Sequence, residues 1–259
     1  MSDELPITRE DGILRVTLNR PQARNALTFP MYEELAQMAA DANEDDGIKA
    51  IIITGAGEKA FAAGTDIAQF REFRTAADAL AYEAKIDRIM TALENCVKPT
   101  IAAISGACTG GGAAIASVCD LRIGAASARF GFPIAKTLGN CLSMANYARL
   151  ATMMGPTRVM DLIYTARLLD AEEMRAVGLL SEILPDHATL QSRADALARQ
   201  VAAHAPLTLR ATKEAMRRLR APLRDIDGDD LVEMCFTSAD FAEGVESFLA
   251  RRPAVWRGC

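Results

Sequence analysis

The chain has almost no histidine: among 259 residues only His187 and His204 occur, and neither lies in a glycine-rich or small-residue segment. Ser-His-Asp, Cys-His and histidine-based metal sites therefore have little to build on, and no metal is expected. The G-x-S-x-G elbow of serine hydrolases is absent as well. The six cysteines (Cys96, Cys108, Cys119, Cys141, Cys235, Cys259) include no C-x-x-C pair. Scattered in this way, they read as reduced, mostly buried thiols of a cytoplasmic protein, not as a disulfide framework or a zinc site. Basic excess is also missing: 29 Lys and Arg stand against 34 Asp and Glu, a net charge of −5. This argues against a nucleic-acid or membrane-surface partner. Residues 1–6 are acidic and carry no apolar run, so no signal peptide is expected there.

A long apolar helix is lacking too. Residues 99–119 are uncharged and hold Gly106-x-x-x-Gly110, which imitates a membrane span with a dimer face. Their only large aliphatics are Ile101, Ile104, Ile115 and Val118, and Gly110, Gly111 and Gly112 interrupt them. A buried strand, a loop and a buried helix fit better. The composition, half hydrophobic and 24% charged, is that of a globular chain with a full core and excludes disorder and collagen.

Residues 13–18 alternate in polarity and predict a strand. Thr28 is placed to cap a helix running through Met31, Leu35 and Met38 to about Asn43, with Pro30 tolerable in its first turn. The β-branched run 50–54 predicts a strand covered on both faces. From Ile67 to Leu93, Phe70, Phe73, Leu80, Ile86, Ile89, Met90 and Leu93 recur with helical spacing. Strands follow at 100–104 and 120–123, with a short buried helix at 110–117 between them. Asp170 to Glu173 predicts a capped helix start, Gly178 its stop, and Ile183-Leu184 a short strand. After Ala188 the pattern is helical, with breaks expected at Ala205-Pro206 and Ala221-Pro222. Alternating strands and helices indicate an α/β core over residues 1–195, followed by a helical region over 196–259. No internal repeat of 20–50 residues is evident.

Gly55-Ala-Gly57 follows a strand, as a dinucleotide fingerprint would, but no helix opens after it and the matching acidic position falls inside a helical stretch. Two other segments stand out, Ala62-Ala63-Gly64-Thr65-Asp66 and residues 105–112. Small residues admit a ligand close to the backbone. The second segment leads into a helix, whose free N–H groups and positive dipole end attract an anion. One N–H from each segment can form an oxyanion hole. Tight packing of backbone on backbone is the alternative.

LNRPQARNAL (18–27) and ITGAGEKAFAAGTDI (53–67) resemble the enoyl-CoA hydratase/isomerase (crotonase) superfamily. KPTIAAISGACTGGG (98–112), CDLRI (119–123), ARFG (128–131), AVGL (176–179), TLRATK (208–213) and EGVESFLAR (243–251) agree in order and spacing. The resemblance implies a crotonase-like spiral of ββα turns with a C-terminal helical trimerisation region, hence a homotrimer or a dimer of trimers. It implies a CoA thioester as substrate, with CoA part of the substrate and no separate cofactor. On the same ground Ala23, Arg24, Ala26, Ala62, Gly64, Asp66 and Ile67 line the CoA path, and the N–H groups of Thr65 and Gly111 hold the thioester oxygen. Phe248 and Arg251 resemble tail positions that reach CoA from a neighbouring subunit.

Hydratases of this family carry two glutamates, and this sequence departs from both. The first falls on Ala114; the second falls on Ile134 or Ala135, because the segment from Phe130 to Gly139 is one residue longer than usual. Hydration needs a base for water and an acid at the α-carbon, so other groups are sought. Lys136, Thr137 and Asn140 are candidates for polarising substrate or placing water; a surface lysine and self-bonded turn residues are the structural alternative. Asp66 is a carboxylate near the hole or a cap for a helix starting at Ile67. Phe70, Phe73, Phe132, Ile134 and Met144 are candidates for the acyl pocket or for core packing. Cys108 reads as a small buried hydrophobe. The expected activity is acyl-CoA hydration or isomerisation. The alternatives are decarboxylation, thioester hydrolysis, binding of CoA thioesters without turnover, or departure from CoA chemistry altogether.

Overall fold

The computed structural model describes residues 2–72, 75–224 and 226–258. The chain opens with a hairpin, β1 (Ile7–Glu10) and β2 (Ile13–Leu18), paired antiparallel. Its two-residue turn is Asp11-Gly12, both at positive φ, the backbone that a tight hairpin loop requires. Strands β3 (Ala50–Gly55), β5 (Thr100–Ile104), β7 (Leu121–Ala125) and β9 (Glu182–Leu184) extend this pair in parallel, in the order β1-β2-β3-β5-β7-β9. A second sheet is built from three strands of three residues each: β4 (Ala60–Ala62), β6 (Ala107–Thr109) and β8 (Arg129–Gly131), all parallel.

The two sheets share one rhythm. Each of β3, β5 and β7 is followed by a short strand and then a helix. The helices are α2 (Ala76–Glu94), α3 (Gly111–Val118) and α4 (Ile134–Thr137). These are three ββα turns of unequal length, which explains why no constant repeat shows in the sequence. Before them lies α1 (Phe29–Glu44); after them come α5 (Met144–Met154), α6 (Pro156–Thr165), α7 (Ala171–Ala176), α8 (His187–Ala202), α9 (Pro206–Arg224), α10 (Asp229–Phe236) and α11 (Ala239–Ala250).

Strand β3 is buried along its whole length, as its β-branched run predicts, and its two faces serve different cores. Ile51 and Ile53 pack with α1, α2 and α3; Ile52 packs under α8 with Leu190, Ala194 and Val201. The expected division at residue 195 therefore falls in the middle of α8, a helix whose apolar face covers the main sheet. Helix α1 starts after Thr28 as expected, although the Thr28 hydroxyl turns to the Glu4 carboxylate at 3.0 Å instead of capping.

Two expectations are corrected. The helical stretch from Ile67 to Leu93 is not one helix: a 3-10 turn (Ile67–Glu72) precedes α2, which begins at a capping box between Thr75 and Asp78. The break expected at Ala221-Pro222 does not occur, because α9 runs through Pro222 to Arg224, while the break at Pro206 is present. The membrane-like stretch becomes β5, β6 and α3, and no helix among the described residues is long and apolar enough to cross a membrane.

Candidate functional site

The three short strands place the site. Beyond their carboxyl ends lie Ala63 to Ile67, Gly110 to Ala114, and Phe132 to Ile134, so parallel pairing sets these three segments side by side. Gly64 has φ +109° and Gly110 φ +52°; a Cβ on Gly110 would stand 3.4 Å from the Gly64 Cα. Such φ values suit glycine, and the two backbones meet here. Gly112 is glycine for packing, since a Cβ there would lie 2.3 Å from the Ala62 carbonyl oxygen. Packing thus accounts for Gly112, while Gly64 and Gly110 border the cavity described next.

Where the segments meet, a cavity of about 610 Å³ opens. Its wall includes Ala23, Arg24, Ala26, Gly64, Thr65, Asp66 and Ile67 from the expected CoA path, with Gly111 beside them. Phe70, Phe132 and Ile134 line it, as do Thr137, Asn140 and Phe248. Ala62 does not: it is fully buried in β4, behind the Gly64 turn. Lys136 is exposed on α4 and outside the lining, because the helix turns it to solvent. Met144 faces a second cavity between α2 and α10. Arg251 ends α11 with φ 54° and is exposed, away from the wall. Phe73 lies outside the described residues. Phe248 reaches the cavity of its own chain, since α11 crosses so close to α4 that a Cβ on Gly244 would meet the Leu138 carbonyl at 2.4 Å.

Two backbone donors on the cavity wall stand out. Leu27 N–H donates to the Gly64 carbonyl, and Asp66 N–H to the Leu27 carbonyl. The Thr65 N–H between them has no acceptor among the described residues. Gly110 N–H donates to the Gly131 carbonyl, whereas the N–H of Gly111, the first residue of α3, has no acceptor either. Unpaired N–H groups are expected in the first turn of a helix. The Thr65 side chain is fixed from two sides: its hydroxyl lies 2.9 Å from that of Tyr32 and 3.3 Å from that of Tyr82. Burial raises both phenol pKa values, so the pair remains neutral.

The other polar candidates are mostly engaged. Asp66 accepts from Ala68 N–H at 3.2 Å and pairs with Arg20 at 3.0 Å, which ties it to the turn. The Thr137 hydroxyl donates to the Pro133 carbonyl at 3.0 Å. Asn140 donates to the Cys141 carbonyl, and its Oδ1 is buried without a partner. Burial pushes the Cys108 thiol well up and keeps it neutral. Ala114 and Ile134 present methyl groups to the cavity.

The wall also carries an ionisable side chain outside the sequence candidates. Glu83, on α2, is 9% exposed and lines the cavity. Its carboxyl is pushed up to about 8, first by burial and then by the Asp87 charge. A signal for it exists in the sequence. Ala79, Glu83, Ile86, Met90 and Leu93 form the buried stripe of α2, and a glutamate on such a stripe is out of place.

Comparison with known proteins agrees with this architecture. A family model described as enoyl-CoA hydratase/isomerase matches residues 8–259. The short-chain-enoyl-CoA hydratase of Clostridium acetobutylicum is 32% identical over 251 residues, 95% of this chain and 94% of the relative. The crotonyl-CoA hydratase of Syntrophomonas wolfei is 31% identical over 257 residues, 97% of each chain. The crystal structure of an enoyl-CoA hydratase/carnithine racemase from Magnetospirillum magneticum superposes with a TM-score of 0.81 at 34% identity, covering 100% of this chain and 97% of that one.

Proposed function

The chain belongs to the enoyl-CoA hydratase/isomerase family, and from that premise we propose that it processes acyl-CoA thioesters through an enolate held by the backbone N–H groups of Thr65 and Gly111. The observation that carries this reading is the pair of N–H groups without acceptors among the described residues, one from each glycine segment, on the wall of one cavity. As the α-hydrogen leaves, negative charge moves to the thioester oxygen, where fixed donors act without reorganising. One such donor contributes about 3 kcal/mol to the barrier. Thr65 supplies its donor from the backbone, so its side chain is free to bond Tyr32 and Tyr82.

The CoA portion would run along Ala23, Arg24, Ala26, Asp66 and Ile67, and the acyl chain would lie among Phe70, Phe132 and Ile134. The resemblance puts the two glutamates at Ala114 and at Ile134 or Ala135, none of them acidic, so this reading looks for the acid/base group elsewhere on the wall. Five described cysteines are free, which supports a reducing, cytoplasmic setting. The proposal extends to a homotrimer assembled through the C-terminal helices. Met216, Leu219 and Leu223, exposed on α9 at helical spacing, support such an interface.

Mass spectrometry of enoyl-, 3-hydroxyacyl-, malonyl-type and saturated acyl-CoA thioesters incubated with the protein in heavy water tests the reading. Water addition, double-bond migration or deuterium at the α-carbon is the expected result. Failure of every thioester to bind or react would overturn it; carbon dioxide loss or CoA release would replace the reaction but keep the hole.

A further inference from the structure

Two glutamates are buried on α2, and their surroundings differ. Glu94 is held by Arg149 at 3.0 Å and Arg220 at 2.7 Å, a structural cluster joining α2, α5 and α9. Glu83, three turns earlier, has no hydrogen-bond or ion-pair partner among the described residues. An isolated carboxylate buried in this way is costly, and a carboxyl without a structural partner on a cavity wall suits proton transfer. The wall it shares carries Thr65, Gly111 and Ala114, and α3 packs against α2, so the methyl of Ala114 leaves space beside it.

We propose that Glu83 is the acid/base group of this cavity, taking the α-hydrogen of a CoA thioester whose oxygen rests on the Thr65 and Gly111 N–H groups. The inference rests on the acyl-CoA reading above and names the proton carrier that the reading lacks. With one such group, the chemistry that balances is migration of a double bond from the β,γ to the α,β position. The Cα–H bond breaks and the proton goes to the Glu83 carboxylate. The electron pair forms the dienolate, with its charge on the thioester oxygen. The carboxyl then returns a proton to Cγ, where the new C–H bond forms, and Glu83 is again a carboxylate. No oxidant, metal or second acid is required.

The surroundings of Glu83 set its titration. Asp87 follows it on α2; Asp227 and Asp229, at the start of α10, line the second cavity with it. Tyr32 from α1, Tyr82 from α2 and Cys141 from the loop before α5 face the first cavity as neutral groups, and Arg24 is the only cation among the described residues of either lining. With acids around it and no cation in contact, the carboxyl is protonated at neutral pH and becomes a base only as the pH passes about 8.

The test is Glu83→Gln, with Glu83→Asp as a second variant that keeps the acid but retracts it by one methylene. Double-bond migration in 3-enoyl-CoA and α-deuteration of saturated acyl-CoA are followed, and binding of the saturated thioester is measured separately by calorimetry. The expected result is binding unchanged in both variants, turnover lowered about 10²–10⁴-fold in Glu83→Gln and less in Glu83→Asp. In the unsubstituted protein kcat/KM should rise tenfold per pH unit and level off near pH 8. Turnover by Glu83→Gln equal to that of the unsubstituted protein would overturn the assignment and leave the acyl-CoA reading standing. Binding without turnover in the unsubstituted protein would likewise remove the role of Glu83, whereas loss of all thioester binding would remove both.

Discussion

At the residue scale, Glu83 also links proton binding to folding. Its carboxyl is raised from the ordinary 4.5 to about 8 in the folded chain. Between those values the folded state holds more protons than the unfolded state, so stability falls as pH rises. Below about pH 4.5 both states are protonated and the effect vanishes; above about 8 the full cost of an ionised buried carboxylate is present. A tenfold change in proton affinity is worth about 1.4 kcal/mol, so the cost reaches several kcal/mol. Glu83→Gln should therefore stabilise the protein, with a gain in denaturation midpoint that grows from pH 5 to pH 8. A gain independent of pH would mean that the carboxyl titrates normally.

At the element scale, α2 carries Tyr82 and Glu83 to the cavity, and its first turn depends on Thr75. The Thr75 hydroxyl accepts from Asp78 N–H, and Asp78 accepts from Thr75 N–H at 2.9 Å. Thr75→Ala removes half of this box and should cost about 1 kcal/mol, seen as a midpoint lowered by a few degrees. An unchanged midpoint would show that tertiary packing alone starts the helix. The same helix shows what sequence can and cannot reveal. Its apolar period is plain from Leu80 to Leu93, but Phe70 and Phe73 continue the period backwards across the Thr75 box and conceal the true start. Strands β3 and β5 are legible because their residues are apolar, rich in isoleucine and buried on both sides. The second sheet is not, since three residues are too few to show a period. Strand β1 escapes the alternation test, although Asp11-Gly12 is a hairpin signal. The glycine segments of the site can be read directly. Glu83 is legible only as a glutamate out of place on an apolar stripe, because what α1, α3 and α10 bring near it is not in the local sequence.

At the scale of the whole molecule, the C-terminal helices close part of the cavity and leave one apolar face uncovered. Phe236, Phe241 and Val245 pack against Phe70, Leu138 and Cys141, so the tail closes one side of the cavity. Helix α9, which packs on α5, leaves Leu219 72% exposed and Met216 50% exposed. If that face holds three chains together, Leu219→Glu should lower the mass measured by light scattering from three chains towards one. A single-chain mass for the unsubstituted protein would refute the trimer.

A second cavity, of about 510 Å³, lies behind α2, and Glu83 is the one described residue common to both linings. The acyl chain would fill the first cavity and leave the second open to bulk water. A hydrogen lifted from the substrate can then escape by the rear before it is given back. The hydrogen found in the product would come from the solvent, and an isotope placed on the substrate would be washed out within a single turnover.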